Sequence, residues 1–246
     1  MSLTDNITDL VDESRALIET FNAKKDDIDA AVARLEAAET MVTKWVYVDS
    51  VNGDDEGLGT AEEPYLTVEK AIDATKDNIR VLVLLLNDAV MTDRVTTGAR
   101  ALLFQGRNAA GETVRRTLSF AAEAVTSPRW SGQRQCAGIE FSASGMVTFT
   151  SIDIVIPDCG EEITFPYLVH GGQSGELILR DCDVSIAAAG GVALLLSTYY
   201  PAPAALWASN VVLGTGVEGH LMRGVAAGVD PNTDTSNRFR SNLTSV

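Results

Sequence analysis

Cysteine, histidine and long apolar runs are all scarce in this 246-residue chain, and each scarcity excludes something. There are three cysteines, Cys136, Cys159 and Cys182, too few and too odd in number for a disulfide framework. No Cys-x-x-Cys pair is present, and the two histidines, His170 and His220, lie fifty residues apart, so no zinc site and no other metal is expected. The longest unbroken apolar run, Val81 to Leu86, is far short of a membrane span. The first residues carry neither a basic n-region nor an apolar h-region, so no signal peptide is expected and the chain reads as made in a cytoplasm. There is no P-loop, no G-x-S-x-G elbow and no dinucleotide fingerprint, and no cofactor is expected. Basic residues are also few. The net charge of −15 argues against a basic nucleic-acid surface and against docking on anionic lipid.

What is present is 46% apolar and 22% charged, the composition of a folded protein. The charge is uneven. Residues 1–44 hold ten acids against five bases, and residues 49–73 hold eight acids against one base. Residues 74–246 are nearly balanced, with sixteen acids and thirteen bases, and beyond Lys76 every base is arginine. These shifts divide the chain into 1–45, 46–78, a bulk of 79–229 and a polar tail of 230–246.

Residues 3–45 lack both proline and glycine, as an uninterrupted helix requires. Apolar positions alternate in steps of four and three: Leu3, Ile7, Leu10, Leu17, Phe21, Ile28, Ala31, Leu35, Ala38, Val42 and Trp45, broken at Ser14 and Lys24. A 3.5-residue period sustained this long predicts a coiled-coil seam, hence partner chains, over a rod roughly 60 Å long. The seam residues expected to carry oligomerisation are Leu3, Ile7, Leu10, Leu17, Phe21, Ile28, Leu35, Val42 and Trp45.

Trp45 to Asp49 reads as a short strand, Asn52-Gly53 as a turn, and Thr67 as the cap of a helix from Val68 to about Thr75. The acids Asp49, Asp54, Asp55 and Glu56 lack the spacing of an EF-hand loop and read as a solvated acidic turn. The string Tyr47-Val48-Asp49, Asn52-Gly53-Asp54-Asp55, Gly57, Gly59-Thr60, Pro64, Thr67 and Ala71-Ile72-Asp73 resembles the entry segment of right-handed parallel β-helix proteins of the pectin-lyase-like class. That class is common in bacteriophage tail fibres and tailspikes. The resemblance covers about twenty-five residues. With the helix before it, it implies a trimeric fibre with a helical stalk.

From Ile79 onward short apolar strands alternate with Gly, Ser, Asn and Asp turns, at Arg80–Leu86, Ala101–Phe104, Thr117–Phe120 and Gly138–Phe141. The stretch Gly145 to Ile156 then repeats at Gly175 to Ile186, thirty residues on, and a third copy is read at Ala204 to Leu213, with Ala204 aligned to Leu177 twenty-seven residues before it. That alignment predicts one inward column of Val147, Leu177 and Ala204, another of Phe149, Leu179 and Leu206, and a bend row of Asp153, Asp183 and Asn210. Asp153, Asp181 and Asp183 are also the candidate catalytic carboxylates, since glycan hydrolysis needs two acids about a scissile bond. Asn in the third copy suits a hydrogen-bonded ladder and not acid catalysis. Cys182, aligned with Ile152, is expected to point inward as a small hydrophobe.

Trp130, Arg134, Tyr199, Tyr200 and Trp207 fall off the inward columns. They suit either stacking on sugars, with arginine for an acidic group, or contacts between protomers. The expected fold class is thus an N-terminal α-helical coiled coil followed by a mainly-β right-handed parallel β-helix solenoid, trimeric by the resemblance. The expected function is a virion structural protein, a fibre or spike. Its head would contact a host-surface polysaccharide or other receptor, and its N-terminal segment would anchor to other virion proteins. Two alternatives stand beside it: a tailspike-type glycan depolymerase, and an adaptor or decoration protein docking another virion component.

Overall fold

The structure is a computed structural model that describes residues 3–99, 101–124, 133–188, 191–198, 202–233 and 238–244, with side chains of the first helix described at Ile7, Leu10, Val11 and 13–32. Two compact units emerge, Met1–Val42 and Thr43–Val246.

The first unit is one helix, α1 (Leu3–Val42). Without proline or glycine nothing interrupts its hydrogen-bond ladder. The Ser14 and Thr20 hydroxyls donate back to the Leu10 and Ala16 carbonyls, and Lys25 pairs with Asp29 one turn on. Its apolar side chains are bare: Leu17 is 71% exposed and Phe21 69%, with Ile7, Leu10 and Ile28 similarly exposed. Val11, Ile18 and Val32 are exposed as well, each one residue past a seam position. At ~100° per residue they widen the stripe to roughly 120°, the breadth of a face and not of a narrow seam.

The second unit opens with β1 (Thr43–Val48), a loop, and α2 (Val68–Asp73). The Thr67 side chain caps α2 by accepting from the Lys70 N–H. Strands then follow one another: β2 (Arg80–Leu85), β3 (Ala89–Met91), β4 (Arg94–Thr97), β5 (Ala101–Gly106), β6 (Arg116–Phe120) and β7 (Gly138–Phe141). The remainder are β8 (Gly145–Thr150), β9 (Ile152–Ile156), β10 (Tyr167–Gly171), β11 (Gly175–Ile186), β12 (Leu194–Thr198), β13 (Ala204–Leu213) and β14 (Phe239–Ser241). All pairings between these strands are parallel. Ten strands form one sheet. Its main limb runs β1-β2-β5-β8-β11-β13-β14, and a second limb β3-β6-β9 joins it at β11. Four others form a sheet in the order β12-β10-β7-β4.

Parallel register stacks like on like. Val46, Val83, Phe104, Phe149 and Leu179 form one fully buried row across five strands, and the Phe104 and Phe149 rings stack at 5.0 Å between centroids. Val81, Leu102, Val147, Leu177 and Leu206 form the next. Fully burying each such side chain contributes about 1.5–3 kcal/mol, so these rows hold the sheet.

The acidic loop is closed by its own carboxylates. Asp49 accepts from the Val51 and Asn52 N–H groups and from the Asn52 and Asn87 amides. Asp55 accepts from the Leu66 and Thr67 N–H groups and the Thr67 hydroxyl. Gly59 sits at φ +71 with the Tyr65 ring against it, where a Cβ would lie 2.3 Å from a ring carbon. Partial burial pushes the Asp49 carboxyl up, but the bonds from Asn52, Val51 and Asn87 outweigh it and hold it below its ordinary value. A depressed carboxylate stabilises fully above its unfolded pKa of ~3.9, and that stability is lost as pH falls through the lower folded value. The melting-temperature advantage of wild type over Asp49→Asn is therefore expected to be constant above about pH 5 and to vanish towards about pH 2.

The expected fold class is corrected here. The strand runs that a β-helix solenoid would keep as successive faces meet in one curled ten-stranded sheet, because the twelve-residue β11 pairs with β8 through its first half and with β9 through its second. The coiled coil is corrected too: α1 stands as a single helix with a broad apolar face, and the other α-helix among the described residues, α2, has six residues. Trp45 lies outside the helix, on β1 opposite Leu82. The side chains of Leu3, Leu35 and Val42 lie outside the described residues.

The third repeat is shifted by two residues from the expected alignment. Leu177 faces Leu206, and Ala204 faces Gly175. The bend row is consequently Ser151, Asp181 and Asn210, all left-handed at φ 54, 53 and 53. Asn and Asp tolerate that region, whereas serine there costs about 1 kcal/mol. Ser151→Gly is expected to raise stability by about 0.5–1 kcal/mol, and Ser151→Val to lower it, by chemical denaturation.

Candidate functional site

A groove of about 900 Å³ runs along the connections that lead from the four-stranded sheet into the ten-stranded one. Its floor is made of small residues at equivalent positions, Gly145, Gly175 and Ala204, which are neighbours in register on β8, β11 and β13. Size is dictated there: a Cβ on Gly145 would fall 2.0 Å from the Phe141 ring. Along the wall, Met146, Glu176, Ala205 and Arg240 form one cross-strand row, and Trp207 rises from β13 beside it, 38% exposed. Glu176 and Arg240 stand two strand spacings apart, roughly 9.6 Å. An aromatic face beside a row that holds an acceptor and a planar donor suits a ring that is apolar on its faces and hydroxylated at its rim. The polar end of the chain builds part of this wall: β14 pairs with β13, and the Asn242 amide accepts from the Ala208 N–H and donates to its carbonyl.

A smaller cavity of about 250 Å³ shares Ala204 and Arg238 with the groove. Ser197, Thr198 and Arg223 also line it. Ser197 belongs to a cross-strand row of the four-stranded sheet with Thr96, Glu140 and His170, in which Glu140, His170 and Ser197 are buried. Next to that row the buried Arg94 guanidinium donates to the Tyr167 and Phe165 carbonyls and lies 3.7 Å from the Cys136 sulfur.

The candidate catalytic carboxylates are occupied otherwise. Asp153 and Asp183 are neighbours on β9 and β11, and Arg115 bridges them, 3.4 Å from one and 2.8 Å from the other. The hydrogen bond to Asp183 raises the Arg115 pKa above its ordinary value. Asp153 also accepts from the Asp183 N–H at 2.9 Å, and Asp181 accepts from the Asn210 amide at 2.6 Å. The three acids tie the bend together, and none of them lines either cavity described above.

Arg134 forks onto Glu123 with bonds of 2.6 and 2.5 Å and approaches Glu162 at 3.4 Å. That fork raises the Arg134 pKa and lowers that of Glu123. It does not line the groove, so the structure does not bring it together with Trp207. Trp130, Tyr199 and Tyr200 lie outside the described residues. The three cysteines are free and buried; a hydrogen bond between the Cys136 and Cys159 thiols lowers the first thiol's pKa and raises the second's. Cys182 donates to the Arg180 carbonyl at 2.9 Å, and burial raises its pKa.

Sequence reasoning found Trp207 but missed Glu176, Arg223, Arg238 and Arg240. The signal available was the run of late arginines, Arg223, Arg238 and Arg240, in a strongly acidic chain. Comparison with known protein families, curated proteins and solved structures finds no match for this chain.

Proposed function

We propose that this chain is a structural protein of a virion, a fibre or spike in which the strand-built unit holds a host-surface glycan and the helix gathers copies of the chain and anchors them. The observation that carries the binding half is the groove: an exposed tryptophan on β13, two residues along from the row that holds Glu176 and Arg240, above a backbone floor at Gly145, Gly175 and Ala204. A rigid stack of parallel strands positions these side chains without a hinge, as recognition of a repeating surface polymer requires. The assembly half rests on α1. Its face is mainly apolar from Ile7 to Val32, and we assign its occupants as further copies of this chain, in a trimer. Among the described residues of the second unit, exposed large apolar side chains such as Val51, Ile79, Val90 and Val229 lie on separate elements.

The depolymerase reading is not favoured, because Arg115 and Asn210 hold the carboxylates it needs. Glycan binding is tested with host-surface polysaccharide immobilised on a sensor. Wild type is expected to bind saturably and Trp207→Ala to lose about tenfold or more, the scale of a lost aromatic platform. Equal binding by both proteins, or none by wild type, would contradict the reading. Labelled antibody on intact particles, viewed by electron microscopy, tests the virion assignment.

A further inference from the structure

We infer that the 250 Å³ cavity beside the Trp207 groove is a binding site for one anionic group, a carboxylate or a phosphate, carried by a sugar. The inference rests on the surface-glycan reading for the source of that sugar, but its chemistry comes from the cavity. Four observations point the same way. The first is charge. Arg223 and Arg238 both line the cavity, and among its described lining residues none is acidic, in a chain of net charge −15. The second is the state of Arg223, which makes no ion pair among the described residues. Its guanidinium carbon lies 5.1 Å from the centre of the Tyr167 ring, a cation–π contact that uses no N–H donor of the fork. A planar guanidinium fork is the donor set that matches two oxygens of one anion.

The third observation is Ser197. It is 1% exposed, its hydroxyl lacks a hydrogen-bond partner, and it lines this cavity. The neighbouring Thr198 hydroxyl, by contrast, is satisfied by the Ala202 carbonyl at 2.9 Å. A buried hydroxyl left without a partner is destabilising, and an anion oxygen in the cavity would supply the missing acceptor. The fourth is size. A volume of about 250 Å³ lies below the ~300 Å³ at which sites for drug-sized molecules begin, so the cavity admits one charged residue or substituent and not a chain. The shared wall at Ala204 and Arg238 lets a chain lie in the groove while one acidic substituent enters the cavity.

The test uses the full-length protein and four probes in calorimetric titration: glucuronate, glucose 1-phosphate, inorganic phosphate and glucose. Saturable binding of glucuronate alone identifies a carboxylate site. Binding of glucose 1-phosphate and phosphate alone identifies a phosphate site, and binding of both classes leaves the shared anion chemistry standing. Glucose is expected not to bind. Arg223→Gln should weaken the bound probe by about tenfold or more, and Ser197→Ala by about threefold to tenfold. Arg223→Lys keeps the charge without the fork and should fall between Arg223→Gln and wild type. Glucose binding as well as the acids, no acid binding at all, or full affinity in both Arg223 variants would overturn the inference.

The two readings fail separately. Trp207→Ala should weaken polysaccharide binding and leave the acidic monosaccharide unchanged. If polysaccharide binding needs Trp207 while the Arg223 variants change nothing, the cavity assignment falls and the groove stands. If acidic sugars bind and no host polysaccharide does, the surface-glycan reading falls and the cavity stands.

Discussion

Phe149→Ala is expected to cost about 3–5 kcal/mol, the range for removing a buried aromatic ring from a core that cannot collapse around the gap. Collapse is hindered by register. The Phe149 ring is fully buried, stacks on Phe104 at 5.0 Å, and has Leu179 beside it on the next strand. Those neighbours are fixed by backbone ladders on either side, so the cavity persists. In urea the midpoint should fall with little change in slope, and the melting temperature should drop by roughly 6–20 °C at ~2–4 °C per kcal/mol for a unit of this size. Phe149→Leu, which keeps most of the volume, should cost much less. A loss below about 1 kcal/mol for Phe149→Ala would mean that this row is not the core.

The second large effect is on assembly. Leu17→Asp combined with Ile28→Asp places two carboxylates on the face of α1, at positions now bare to solvent in the single chain. In an isolated helix both changes are nearly silent. In an assembly that buries this face, each copy loses about 1.5–3 kcal/mol of apolar burial per site and must desolvate a charge in addition. Across several copies this exceeds the stability of any micromolar complex. The double variant is expected to run as a 26.2 kDa monomer whose β-rich unit melts as in wild type.

How much of this was legible in the sequence can be argued from particular residues. The long helix was legible because an absence marks it: no proline or glycine from residue 3 to 45. Its end was not, because Thr43 to Val48 is β-branched and aromatic at positions that also continue the heptad, and β1 takes Trp45 by pairing with β2. Its stripe is narrow along the heptad positions alone, and Val11, Ile18 and Val32 broaden it. The cap at Thr67 and the thirty-residue repeat from Gly145 to Gly175 could be read directly, since turn chemistry and strand alternation are local.

The third repeat slipped by two residues, and the reason is physical. Ala204, Leu206 and Ala208 alternate with period two, so a shift of two leaves every inward residue inward. What fixes the register is the left-handed bend, with Asn210 bonded to Asp181, and backbone φ is not written in composition. The fold class was misjudged for a similar reason. Buried parallel strands have the same local pattern whether they belong to separate solenoid faces or meet in one curled sheet, and only the single strand β11, paired with β8 at Gly175–Arg180 and with β9 at Val184–Ile186, decides. Of the groove, Trp207 was visible as an aromatic off the inward columns. Glu176 and Arg240 were not, because they become neighbours only through the strand stack, and Arg240 sits in what composition alone presents as a polar tail.

The account depends above all on copies of this chain covering the apolar face of α1. Sedimentation equilibrium of the purified full-length chain at micromolar concentration tests this most directly. The expected result is one species of about three times 26.2 kDa that the Leu17→Asp, Ile28→Asp variant reduces to a single chain, whereas a wild-type species of 26.2 kDa would contradict it.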